Sequence, residues 1–150
     1  MFEPYYSYSR RDYVVIVASD TEGKYLCVRQ YRQGIHQVTT EFPAGGIERK
    51  DGKEYGGDRD ISAEDALDAA KRELLEETGY ESKEWRHLIT VPSNATIADN
   101  YAHLFVAENC CRVSGQSLDE TEFLNAQKLS ADEIEALIAQ GEFQQAIHIM

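Results

Sequence analysis

The stretch Arg72-Glu73-Leu74-Leu75-Glu76-Glu77-Thr78-Gly79-Tyr80 puts three carboxylates into five residues, with an arginine ahead and a glycine behind. Read as helix, Glu73, Glu76 and Glu77 fall within about one third of the wheel. Ala66, Ala69 and Ala70 lie on the same side, so one face combines small residues with negative charge. Like charges three and four residues apart cost a few tenths of a kcal/mol per pair in an isolated helix. Keeping three of them asks for a neutralising cation, and glutamate oxygens are hard ligands that suit Mg²⁺ or Mn²⁺ rather than zinc. Ser62 is the expected N-cap, with Asp65 as its reciprocal partner. Glu64 and Asp65 then occupy the first turn, where the dipole favours them, and Gly79 suits the left-handed position after the last turn. An exposed acidic face is the plainer reading. It leaves unexplained the alanines and the Pro43-Ala44-Gly45-Gly46 turn upstream.

The rest of the chain reads as strands around this helix. Tyr13 to Ala18 is a nearly continuous apolar run, predicted as a buried strand. A turn at Thr21-Glu22-Gly23-Lys24 leads into a return strand, Tyr25 to Arg32. Gln37 to Phe42 is a short strand entering the Pro-Ala-Gly-Gly turn, whose glycines permit inward-facing carbonyls. Trp85–Val91 and Tyr101–Ala107 read as two more strands, and His103 as a strand residue with a local hydrogen bond. A closing helix opens with the capping box Ser130-Ala131-Asp132-Glu133, carries the stripe Ile134, Leu137, Ile138, and stops at Gly141. Gln144 to Met150 has no stop signal, as in a chain that continues.

At 150 residues the length suits one domain, expected over 13–150 with a Gly- and charge-rich loop insertion at about 49–61. Residues 1–12 form an aromatic arm (Phe2, Tyr5, Tyr6, Tyr8) that packs on the domain or on a second subunit; stacking a nucleotide base is the alternative. The net charge of −12 argues against nucleic acid or an anionic membrane as the main partner. A divalent metal and a few local arginines can still invert the field for phosphates. Cys27, Cys110 and Cys111 are odd in number and two are adjacent, so they are expected as reduced thiols in a cytoplasmic protein, Cys27 in a core strand. No signal peptide and no membrane-length apolar run is present.

Glu64, seven further residues, then Arg72 to Tyr80 resemble the signature of the Nudix hydrolases, Gly-x5-Glu-x7-Arg-Glu-U-x-Glu-Glu-x-Gly-U, with U bulky and apolar. Gly45 is the candidate for the opening glycine, separated from Glu64 by eighteen residues instead of five. Val28-Arg29-Gln30-Tyr31-Arg32 and Glu41-Phe42-Pro43-Ala44-Gly45-Gly46-Ile47-Glu48 further resemble the ADP-ribose and ADP-sugar pyrophosphatase branch. The resemblance covers roughly residue 13 to the C-terminus. It implies an α/β fold, the Nudix α/β/α sandwich with a mixed β-sheet between helices. That branch usually carries an N-terminal subdomain that forms the dimer and the base pocket, of which the arm would be a remnant.

The resemblance also implies a chemistry: Mg²⁺-dependent cleavage of a nucleoside diphosphate linked to X into a nucleoside monophosphate and X-phosphate. Glu73, Glu76 and Glu77 with the Ala44 carbonyl would hold Mg²⁺, with Mn²⁺ as the alternative. Glu122, with Glu120 or a box glutamate as alternatives, would take the proton from water. Arg32, Arg29, Glu41 and Asn94 are the substrate-binding candidates. The branch tends to carry a proline after a serine where this chain has Ser93-Asn94, so that mark of ADP-ribose specificity is absent. Arg72 would orient the cluster by pairing with a carboxylate or a backbone carbonyl, and Glu64 would serve the helix start. A nucleoside diphosphate-linked small molecule is the expected partner, and a homodimer fits the branch. A non-catalytic, nucleotide-binding regulatory module is the second expectation, and an acidic scaffold without ligand the third.

Overall fold

The computed structural model describes residues 9–48, 64–114 and 125–150. The expectations for the aromatics at 2–8, the Ser62 cap, the insertion at about 49–61, Glu120 and Glu122 lie outside the described residues.

The centre of the molecule is β1 (Tyr13–Asp20). Successive residues of a strand point to opposite faces, so a strand covered on both sides has no place for polar residues. Val14, Val15 and Ile16 are accordingly fully buried. Val14, Ile16 and Ala18 pack with Ala69, Ala70 and Leu74 of α1 (Ala66–Thr78). Val15 packs on the other face with Cys27, Phe42, Leu104, Phe143 and Ile134 of α2 (Ala131–Ala139). The expected α/β/α sandwich follows from this two-sided burial.

The sheet is mixed, as expected. The turn from β1 into β2 (Tyr25–Arg32) is held by Asp20, whose Oδ1 accepts from the Glu22 and Lys24 N–H groups at 2.9 Å, and by Gly23 at φ 79°. Antiparallel β3 (Gln37–Glu41) and β8 (Asn125–Leu129) pair with β2. β4 (Ala44–Gly46) pairs antiparallel with the start of β1, where a turn alone was expected. On the other side β7 (Tyr101–Arg112) runs parallel to β1, from Tyr13 opposite Ala102 to Ala18 opposite Ala107. β7 extends past the expected Ala107 and pairs with β6 (Glu84–Pro92) and with β5 (Tyr80–Glu81). The short elements β4, β5, β8 and α3 (Ala146–Ile149) span too few residues to show a period.

The start of α1 departs from expectation. Asp65 itself is the N-cap, its Oδ1 accepting from the Leu67 N–H at 2.8 Å, so Glu64 and Asp65 precede the first turn. Glu64 is drawn away from the helix by Glu48. Its N–H donates to the Glu48 carbonyl at 2.8 Å, and its Oε1 accepts from the Glu48 N–H at 2.8 Å. These two hydrogen bonds close Glu48 and Glu64 into a neck. Gly79, at φ 77°, closes α1, and α2 carries the expected Ser130/Glu133 capping box. Cys27 and Cys110 are buried, Cys111 is exposed and all three are free; burial pushes the Cys27 thiol up to about 12. Among the described residues no helix is long and apolar enough to cross a membrane.

Replacing Asp65 with alanine is expected to lower stability by about 1 kcal/mol, read as a lower urea midpoint with an unchanged m-value. An unmoved midpoint would take the cap away from Asp65.

Candidate active site

The packing of α1 decides where its carboxylates lie. With Ala69, Ala70 and Leu74 turned onto the sheet, Glu73 and Glu77 are buried at the seam with β4, and Glu76 is only partly covered. A Cβ at Gly45 would overlap the Glu73 carboxylate, so only glycine allows this approach. Glu77 Oε2 accepts from the Ala44 N–H at 3.3 Å. Ala44, Gly45, Glu73 and Glu77 are thereby brought together.

Arg72 runs through the cluster. Its guanidinium lies 2.5 Å from Glu64, 2.8 Å from Glu73, 3.3 Å from Glu76 and 3.6 Å from Glu48, and donates to the Gly46 carbonyl at 3.1 Å. Burial alone would lower the Arg72 pKa; hydrogen bonds and charge from Glu64 and Glu73 outweigh it and raise it. One cation here faces four carboxylates, with Glu77 beyond them. The surplus of negative, hard oxygen donors fits a divalent cation. Among the described residues no three acidic, histidine or cysteine side chains gather closely enough to hold a metal as they stand. Arg72 engages Glu73 and Glu76, and the Ala44 N–H engages Glu77.

Beside the cluster lies a cleft of about 710 Å³ whose lining includes Arg10, Arg11, Arg32, Ala44, Glu77 and His148. Strand alternation sends Gln30 and Arg32 of β2 into it. Arg29 consequently lines a separate groove with Val38, Thr40 and Glu133, so the geometry does not bring it to the site. Asn94 is also not among the lining residues. Its side chain accepts from the Thr96 N–H at 3.3 Å and its carbonyl from the Ala98 N–H at 2.9 Å, holding its own turn, while Ser93 and Asn100 reach the cleft.

Glu41 departs from expectation as well: it lies beneath the cleft at 1% exposure and not in its lining. It accepts from Arg32 Nε at 2.8 Å and Nη2 at 2.5 Å, and from Thr39 Oγ1 at 2.5 Å. Burial would raise its pKa, but these donors and the Arg32 charge bring it below the usual value. Glu41 therefore positions Arg32.

Sequence reasoning missed Arg10, Arg11, Gln145 and His148. The last two come from an aperiodic tail, and no pattern in it pointed to the cleft. Gln145 Nε2 donates to Glu41 Oε2 at 3.3 Å. His148 Nδ1 accepts from the Phe42 N–H at 3.1 Å, and its ring stacks on Phe42. Burial pushes the His148 pKa down to about 4, so the ring is neutral. His103 is the expected strand residue, bonded to Asp12 at 2.9 Å and Thr90 at 3.1 Å.

Two outcomes follow. Arg32→Ala strands the buried Glu41 carboxylate and is expected to cost about 2–3 kcal/mol in urea unfolding, less than a fully buried pair because Arg32 is 37% exposed. Adding Glu41→Gln should recover much of that loss; no recovery would refute the pairing. For His148 the folded pKa lies below the ordinary value of about 6.5, so between about pH 6.5 and 4 the unfolded chain binds more protons. Stability should fall as pH drops through that window, by on the order of 3 kcal/mol, and His148→Gln should flatten the slope. An equal slope in that variant would assign the loss elsewhere.

Comparison with known proteins places this geometry. Residues 9–147 match the family described as NUDIX domain. The methanol dehydrogenase activator of Bacillus methanolicus is 34% identical over 121 residues, covering 80% of this chain and 58% of that protein. The ADP-ribose pyrophosphatase of Bacillus subtilis (strain 168) is 29% identical over 130 residues, covering 86% of this chain and 63% of that protein. The chain thus spans about three fifths of the length of these two relatives. A solved structure described as an ADP compounds hydrolase shares the fold, with a TM-score of 0.74 at 21% identity, over 93% of this chain and 68% of that one. The acidic helix, its glycine partner and the sandwich around them are those of one family: the chain belongs to the Nudix family.

Proposed function

We propose that the chain is a pyrophosphohydrolase acting on a nucleoside diphosphate linked to X, of the ADP-ribose or ADP-sugar type, with nucleoside monophosphate and X-phosphate as products. The observation that carries this reading is an intact Glu73-Glu76-Glu77 helix face beside an arginine-lined cleft. The named activity of the B. subtilis relative supports the same substrate class.

Nudix enzymes generally use a divalent metal. Glu73, Glu76 and Glu77 with the Ala44 carbonyl would hold Mg²⁺ or Mn²⁺, which when bound neutralises the diphosphate and acidifies water. This chain's own residues do the rest. Arg72 keeps Glu73 and Glu76 on the face toward β4. Arg32, held by Glu41, presents guanidinium N–H groups to phosphate oxygens. Water adds to one phosphorus, the anhydride P–O bond breaks, and the proton passes to a carboxylate. Glu122, Glu120 and the box glutamates are the candidate bases; Glu77 is the one carboxylate among the described residues lining the cleft. The second reading is a regulatory, nucleotide-binding module, favoured by the relative named as an activator of another protein.

The test is a Mg²⁺-containing panel of ADP-ribose, ADP- and GDP-sugars, dinucleotides and nucleoside triphosphates, read by phosphatase-coupled release. Turnover of the diphosphate-linked compounds is expected, with Glu77→Gln slower by at least roughly 10²-fold and melting unchanged. Ligand binding with no turnover of any compound would favour the regulatory module.

A further inference from the structure

We infer that Arg10 and Arg11 grip the diphosphate in the cleft alongside Arg32, with Arg11 seated over Gly46. This rests on the reading that the ligand carries a diphosphate.

The charges separate the arginines. Arg32 is bonded to Glu41 through two donors, and Arg72 is surrounded by carboxylates. Arg10 and Arg11 line the same cleft, and among the described residues neither side chain has an ion-pair or hydrogen-bond partner. In a protein with 27 acidic residues and a net charge of −12, two guanidiniums that no carboxylate among the described residues engages, beside one cleft, are a local inversion of the field.

The backbone that carries them is fixed. The Arg10 N–H donates to Asp99 Oδ1 at 3.0 Å, and the Arg11 carbonyl accepts from Asn100 Nδ2 at 3.1 Å. The next carbonyl, that of Asp12, accepts from the Ile47 N–H at 2.9 Å, and the Asp12 carboxylate accepts from the Tyr101 N–H at 2.9 Å. The segment is stapled between the chain just past β4 and the loop 93–100, while its two guanidiniums line the cleft. Such an arrangement lowers the ordering cost of binding.

The seat is specific. A Cβ at Gly46 would overlap Arg11 Nε and lie 2.8 Å from its Cζ. At Gly45 the missing Cβ makes room for Glu73 instead. Adjacent strand residues open to opposite sides, so β4 carries the box carboxylate on one side and a guanidinium on the other. A diphosphate diester bears one negative charge on each phosphorus. Two guanidinium forks match it in number and geometry.

The experiment is calorimetric titration with α,β-methylene-ADP in Mg²⁺ buffer, a diphosphate nucleotide whose P–C–P bridge resists cleavage. The wild type is expected to bind, and Arg10→Ala/Arg11→Ala to bind at least about 10-fold more weakly. Gly46→Ala, which keeps both charges but fills the seat, should weaken binding several-fold. Arg29→Ala, outside the cleft, should leave it unchanged, with melting temperatures equal throughout. Equal affinity in the double variant, or no binding by the wild type, overturns the inference. The readout is affinity rather than turnover, so arginine-dependent binding in a chain that hydrolyses nothing would refute the hydrolase reading alone.

Discussion

Arg72 resolves a conflict written into its own helix. Four carboxylates from two parts of the chain lie within reach of its guanidinium, and without a cation among them the face of α1 would repel both itself and the chain at Glu48. The same guanidinium donates to the Gly46 carbonyl, so it also ties the helix to β4. Removing one partner of a buried charge cluster leaves the others uncompensated. The height of α1 over the sheet, and with it the meeting of Glu77 with Ala44, therefore depends on a residue that need not touch substrate.

Arg32 and Glu41 repeat this logic on the other side of the cleft with the roles inverted. Here the carboxylate is hidden and the cation reaches the surface. Thr39, Gln145 and Arg32 satisfy Glu41, and His148 satisfies the neighbouring Phe42 N–H. The result is a site with acid on the helix side and base on the strand and arm sides, inside a protein whose overall charge is strongly negative.

The parts of this arrangement that have a period were legible in the sequence. The apolar run of β1, the hairpin into β2, the acidic helix and the capped α2 could be read because alternation or helical spacing extends over enough residues to be seen. The start of α1 was misread because Ser62 and Asp65 offer equivalent capping chemistry; it is Asp65 that accepts from the Leu67 N–H. Arg29 and Arg32 looked alike because the text of a strand does not say which face is the cleft. Glu41 was taken for a substrate contact because a buried carboxylate and an exposed one have the same letter. Arg10, Arg11 and His148 had no local signal, since their positions are set by contacts to residues 99, 100, 46 and 42.

The neck between Glu48 and Glu64 separates two kinds of distance. A motif is counted along the chain, and by that count Gly45 stands far from the helix. Chemistry is counted through space, and Gly45 meets Glu73 directly. Once the two ends of a connection are joined, its length enters only through closure entropy, about 0.6 kcal/mol for each doubling. The meeting of Gly45 with Glu73 is therefore held by the pairing of Glu48 with Glu64 and not by the number of residues that the motif counts between them.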